Sequence, residues 1–295
     1  MKRVLITGGS GQLGIELQRV TWPADWILEA PEVADLDLRD TAAIAAKVFE
    51  KPWAAVINAG AFTAVDGAER DIVTAWAINA LAPAAFAQAC AGTAIPLVQI
   101  STDYVFDGNK TGRWNEDDKT APLNVYGASK LGGELAVRTA HSRHAIIRTS
   151  WLVSAHGNNF VKTMLKLGSD RNEIGVVCDQ YGAPTSAADL AAAIVRIVVR
   201  LEQDPQAPVG TFHFSNAGET TWHGFAEAIF AGAARRGSAS TRARPITTAE
   251  FPTPAPRPIN SLLSHRAIGA RFGIEPRSWQ EALDDILDEL LETSR

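Results

Sequence analysis

Short apolar runs alternate with helical periodicity through the first half of the chain. Runs rich in Val, Ile, Leu and Ala at residues 3–7, 26–29, 54–57, 97–100 and 145–148 predict strands buried on both faces. Between them, apolar positions spaced for one helical face predict helices over 12–20, 41–49, 73–91 and 125–139. Strands separated by helices pair in parallel through right-handed crossovers, with helices on both faces of the sheet. The expected fold class is therefore α/β, a Rossmann-type doubly wound parallel sheet. After residue 150 the alternation loosens. A strand at 174–178, a helix at 187–201, a strand at 211–214, a helix at 222–235 and a last helix at about 279–291 are expected there. The proline-rich stretch 251–258 cannot be helical, because proline lacks an amide donor and restricts the residue before it. The organisation expected is one domain over 1–150, with 174–204 returning to it, and a smaller C-terminal domain from 151–173 and 205–295.

Composition narrows the partners. The length of 295 residues suits one large α/β domain or a domain with a smaller companion, and 46% hydrophobic against 21% charged residues is globular. A net charge of -5, from 28 basic and 33 acidic residues, offers no basic excess for a nucleic-acid backbone. A nucleotide remains acceptable, since backbone amides bind phosphate without net positive charge. Cys90 and Cys178 make neither a disulfide framework nor a zinc spacing, so a reducing, cytoplasmic setting is expected. The apolar run after Met1 is too short for a signal-peptide core. The stretch 187–201 carries Asp189, Arg196 and Arg200 and reads as a packed amphipathic helix, so no membrane partner is expected.

The first strand runs directly into Gly8-Gly9-Ser10-Gly11-Gln12-Leu13-Gly14, which opens a helix. Gly8, Gly11 and Gly14 form G-x-x-G-x-x-G, a dinucleotide-binding fingerprint in the strand–turn–helix context it requires. An acidic residue near the end of the second strand should hold the adenosine ribose. Glu32 is the nearest fit and Glu29 the other candidate. The expected cofactor is NADPH or NADH.

Tyr126 and Lys130 form Y-x-x-x-K at the start of the helix after the fourth strand. Positions four apart share a helical face, so an ammonium there can act on the phenol and lower its pKa toward a useful range. Thr102 lies at the tip of that fourth strand, where a hydroxyl can hydrogen-bond a carbonyl oxygen undergoing reduction. Thr102, Tyr126 and Lys130 are the expected catalytic residues. Arg257 offers paired donors for a diphosphate. His141 and His144 lack the companions of a metal site, no metal ligand is expected, and residues 66–71 read as a solvated helix start.

Together these blocks, with Asn58-Ala59-Gly60-Ala61-Phe62-Thr63-Ala64-Val65-Asp66, Ser101-Thr102-Asp103-Tyr104-Val105-Phe106-Asp107-Gly108, Arg148-Thr149-Ser150-Trp151, Gln180-Tyr181-Gly182-Ala183-Pro184-Thr185 and Arg257-Pro258-Ile259-Asn260-Ser261, resemble the dTDP-4-dehydrorhamnose reductases, extended short-chain dehydrogenases. The resemblance implies reduction of the 4-keto group of a dTDP-linked deoxysugar to dTDP-L-rhamnose. It implies Gln12 and Leu13 at the pyrophosphate, Asp37 and Leu38 by the adenine, and Ala59, Gly60, Ala61 and Phe62 along the dinucleotide cleft. It places Thr63, Val65, Asp103, Tyr104 and Trp151 toward the sugar or its nicotinamide neighbour. Some relatives hold Mg²⁺ at a homodimer interface through glutamates. Glu16 matches one of these, but 186–189 reads Ser-Ala-Ala-Asp without a glutamate, which speaks against the metal. Related dehydratases carry Asp-Glu after the threonine where this chain has Asp103-Tyr104. A 4-epimerase, another nucleotide-sugar ketoreductase and a non-catalytic nucleotide-binding regulatory subunit are the alternatives.

Overall fold

The computed structural model describes residues 1–238 and 240–292. The first half runs β1 (Lys2–Thr7), α1 (Gln12–Arg19), β2 (Trp26–Glu29), α2 (Thr41–Phe49), β3 (Trp53–Asn58), α3 (Val65–Ala68), α4 (Ile72–Trp76), a π-turn (Ala77–Leu81), α5 (Ala82–Ala91), β4 (Leu97–Thr102), α6 (Val125–Ala140) and β5 (His144–Thr149). It continues with β6 (Leu152–Val153), α7 (Phe160–Asp170), β7 (Glu173–Val177), β8 (Tyr181–Gly182), β9 (Thr185–Ser186), α8 (Ala187–Gln203), β10 (Gly210–His213), β11 (Thr220–Thr221), α9 (Trp222–Arg235), β12 (Arg242–Ile246), α10 (Arg266–Phe272) and α11 (Trp279–Glu292).

A parallel sheet of six strands, ordered β2-β1-β3-β4-β5-β10, forms the centre. Its middle strands are buried along almost their whole length because helices cover both faces. Leu13 and Leu17 of α1, Leu190, Ile194 and Ile197 of α8 and Ile268 of α10 pack one face. Ile44 and Val48 of α2, Phe86 of α5 and Val137 of α6 pack the other. The chain leaves β1 for β2 on one side and returns to β3 on the other. The C-terminal ends of β1 and β3 therefore splay their connections apart and leave a crevice, where ligands bind in such sheets. A second core, around Val161, Met164, Phe225, Ile229, Trp279 and Leu287, joins α7, α9 and α11 to the pair β7·β12.

Three expectations change. The helix expected over 73–91 is interrupted by the π-turn. Pro83 has no amide to donate to the carbonyl of Asn79, so the ladder changes register there. Gly133 of α6 packs against that carbonyl, and a Cβ on it would lie 2.2 Å from the oxygen. The strand expected at 174–178 pairs with β12 and stays outside the central sheet. The strand expected at 211–214 is β10, which completes the sheet beside β5. The return to the first unit thus consists of α8 and β10, and the boundaries drawn at 174–204 and 205–295 shift accordingly. The run 72–91 is long and apolar enough to cross a membrane by length and composition; here Ala82, Phe86 and Cys90 pack it onto the sheet.

Candidate active site

The crevice is built first by backbone. Gly8 leaves β1 at φ +70°, a conformation open to glycine, and its carbonyl accepts the Gly11 amide at 2.9 Å. A Cβ on Gly14 would lie 2.0 Å from that same carbonyl, so α1 can pack onto the turn only with glycine there. Gly11 caps α1 without a side-chain bond, which leaves the first helical amides directed at the crevice as an anion site. The strand tips are locked behind it. Thr7 Oγ1 donates to Asn58 Oδ1 at 2.6 Å and accepts the Gly60 amide, while Asn58 Nδ2 donates to Gln99.

The resulting cleft has a volume of about 700 Å³. It brings together Gly8, Gly11, Gln12, Leu13 and Gly14 with Asp37 and Leu38, and with Ala59, Gly60 and Ala61. Thr63, Val65, Thr102, Asp103, Tyr104, Tyr126, Lys130 and Trp151 line its other end. Glu32 is exposed and outside the lining, and Glu29 is tied to Arg3 and Lys51 at 2.7 and 2.5 Å. Neither carboxylate faces the cleft. Asp37 does line it, but Arg39 grips its carboxyl and holds it down at about 2. The Gln12 side chain accepts from Ser154 Oγ and Asn159 Nδ2 at 3.1 and 2.9 Å. Phe62 is not among the residues of the lining. Arg257 also lies outside it, paired with Asp66 at 2.6 and 2.8 Å, so Asp66 is an ion-pair partner rather than a solvated helix start. His141 and His144 bond backbone carbonyls.

At the end lined by Thr102 and Tyr126, Asn124 caps α6 by accepting the Gly127 amide, which fixes the first turn carrying Tyr126. Tyr126 shares a hydrogen bond with Thr102. Thr102 donates to Asp103 Oδ1 at 3.0 Å and accepts the Tyr104 amide at 3.2 Å. Burial outweighs the Thr102 bond and raises the Tyr126 phenol to about 12. The expected lowering by Lys130 does not appear, because that ammonium is drawn to the Ile100 carbonyl at 2.6 Å. Lys130 itself falls to about 8 through burial, opposed by Glu134. Asp103 is buried and rises to about 6, and its Oδ2 has no protein partner among the described residues. Trp151 adopts φ 48° and stacks on Trp222 with ring centroids 3.6 Å apart, forming a stiff apolar wall.

The model of the RmlD substrate binding domain family matches residues 1–292. The chain belongs to that family. An RmlD-family relative named dTDP-4-dehydrorhamnose reductase from Burkholderia thailandensis is 40% identical over 299 aligned positions, covering 98% of this chain and 99% of its own. One of the same name from Sinorhizobium fredii is 39% identical over 281, covering 95% of both. The crystal structure of dTDP-4-dehydrorhamnose reductase from Bacillus anthracis in complex with NADP superposes with a TM-score of 0.91. It shares 38% identity and covers 98% of this chain and 100% of that one.

The residues at the positions where the resemblance implies Mg²⁺ do not suit a metal in this RmlD-family chain. Glu16 meets His156 and Glu289, with ligand atoms within 4.8 Å of one another. Arg19 already stands among them, bonding His156 and Glu289 and lying 3.5 Å from Glu16. Asp189, at the other expected position, is held by Arg277 at 2.9 Å. A guanidinium thus supplies the positive charge that the acids attract. Three structural supports escaped the sequence. Asn79 brackets the Phe62 backbone and donates to Ser129 at 3.0 Å, a role created by the π-turn. Ser154 and Asn159 anchor Gln12. Glu134, which takes a bidentate pair from Arg148 and the Ser101 hydroxyl at 2.6 Å, stands one turn after Lys130, so its spacing could have flagged it.

Proposed function

We propose that the chain catalyses NAD(P)H-dependent reduction of the 4-keto group of dTDP-4-dehydro-6-deoxy-L-mannose, giving dTDP-L-rhamnose for cell-surface polysaccharide synthesis. The observation that carries the reading is the convergence of the Tyr126 and Thr102 hydroxyls in a cleft opened by the glycine turn. The first amides of α1 and Asp37–Leu38 would hold the cofactor's pyrophosphate and adenosine ends. A reduced nicotinamide, when bound, supplies hydride. Tyr126, protonated up to about pH 12, gives its proton to the oxygen as it gains charge. Thr102 turns its one O–H from Asp103 to the same oxygen and stabilises that charge. The freed Asp103 carboxylate then accepts from a sugar hydroxyl, and Trp151 closes the apolar side of the ring. Lys130 holds its ammonium between the Ile100 carbonyl and the cleft, available to ribose hydroxyls.

The test is absorbance loss of NADPH with the keto-sugar nucleotide. Wild type should turn over, and Tyr126→Phe should bind NADPH with unchanged affinity but lose turnover by at least 100-fold. Equal turnover would remove Tyr126 from the chemistry. Net oxidation of one NADPH per sugar separates this reaction from an epimerase. We read the chain as a cytoplasmic homodimer. The exposed Val73 and Trp76 of α4 and Leu135 of α6 supply an apolar face for a second copy, which sedimentation velocity can test.

A further inference from the structure

We propose that a second cleft, between the end of α1 and helices α8 and α10, binds a nucleoside polyphosphate. It has a volume of about 700 Å³, within the range of small-ligand sites. It lies at the opposite end of α1 from the glycine turn. Its walls are aromatic and cationic: Trp22 and Phe272 with Arg196, Arg200 and Arg271. No carboxylate lines it among the described residues. On a chain of net charge -5, three guanidiniums around one concavity run against the overall field.

The aromatic wall is ordered in advance. Trp22 Nε1 donates to the Leu17 carbonyl at 2.8 Å, and its ring packs on Trp26 with centroids 5.5 Å apart. A base can stack on a face already fixed, with little ordering cost. The cationic wall is equally specific. Arg196 and Arg200 stand one turn apart on α8 and so share a face. Arg196 donates to the carbonyls of Phe272 and Gly273 at 3.3 and 3.1 Å. It covers the negative end of α10, which would otherwise repel an anion. Arg200 meets Asp204 through one nitrogen at 2.9 Å and keeps its remaining donors. Arg271 makes no ion pair among the described residues, and it is exposed beside the cleft. Planar guanidiniums suit phosphate oxygens, and a ring beside them suits a base. A bare anion would use only half of this lining.

The experiment titrates ATP calorimetrically into full-length protein, with NADPH held at about tenfold its Kd to fill the adenosine end of the catalytic cleft. Inorganic tripolyphosphate is the parallel probe. Wild type should bind ATP under these conditions. An Arg200→Glu, Arg271→Glu double variant should bind it at least tenfold more weakly, with unchanged NADPH affinity and kcat. Trp22→Ala should weaken ATP but not tripolyphosphate. ATP binding equal in wild type and the double variant, or no ATP binding beside NADPH, overturns the proposal. Tripolyphosphate binding as tight as ATP, with Trp22→Ala without effect on either, reduces the cleft to a plain anion patch and overturns the nucleotide assignment.

Discussion

Thr102→Val keeps the shape of the side chain and deletes its hydroxyl. Two separate losses follow from the contacts. The hydroxyl accepts the Tyr104 amide at 3.2 Å, capping the short turn after β4, and loss of such a cap costs about 1 kcal/mol of stability. In the proposed reaction it is also one of two donors, with Tyr126, to the developing oxyanion. Removing one such donor costs about 3 kcal/mol of transition-state stabilisation, or roughly 100-fold in kcat. KM should move by less than about threefold, because Asp103 and Trp151 still hold the sugar. Asp103 keeps its Ser261 donor, so its carboxyl rises further above about 6 without becoming wholly unpartnered. Thr102→Ser restores the donor and should recover kcat to within about tenfold. Urea unfolding reads the first loss, and NADPH oxidation at saturating substrate reads the second. A Thr102→Val kcat within threefold of wild type would refute the role given to this hydroxyl.

Gly14→Ala forces a methyl against the Gly8 carbonyl, at 2.0 Å from the oxygen. The turn must open, and NADPH affinity by fluorescence titration should fall about 100-fold, or about 2.7 kcal/mol. Arg148→Met removes the bidentate partner of the fully buried Glu134 carboxylate, met at 2.7 and 2.8 Å, and leaves it to Arg138 and the Ser101 hydroxyl. Because Arg138 and Ser101 still partner the carboxylate, urea denaturation should show a loss of about 1–3 kcal/mol. Lys130 titrates near 8 in the fold against the ordinary lysine value of 10.5. The unfolded chain therefore binds more protons between those values, and wild-type stability rises with pH across that window. The burial penalty, about 3 kcal/mol, is fully present below pH 8 and relieved above it. Lys130→Met should flatten this rise, as unfolding at pH 7 and pH 10 will show.

Much of the central sheet was legible because each strand is buried on both faces and each helix on one. The runs 97–100 and 145–148 read as strands buried on both faces and lie within β4 and β5, and the helix at 125–139 ends within one residue of α6. The second unit was less so. Strand β7 reads locally like any sheet strand, but its partner β12 lies 242 − 173 = 69 residues further on, counted from their first residues. The π-turn was hidden because a change of ladder register depends on Pro83 and Gly133 together. The Glu32 expectation relied on a spacing rule, and the loop after β2 carries that side chain out into solvent.

Residue order alone determined the glycine turn, the Tyr126 and Lys130 face and the parallel α/β plan, since each rests on contacts within a few residues or on a repeating period. The fold decided which charges were free to act. Pairing between residues far apart tied Arg257 to Asp66 and Glu29 to Arg3 and Lys51, and brought His156 and Glu289 against the Glu16–Arg19 turn of α1. It also left Asp103 Oδ2 without a partner among the described residues, beside the Thr102 hydroxyl. The availability of a charged side chain depends on what the distant chain brings against it, and no local pattern encodes that.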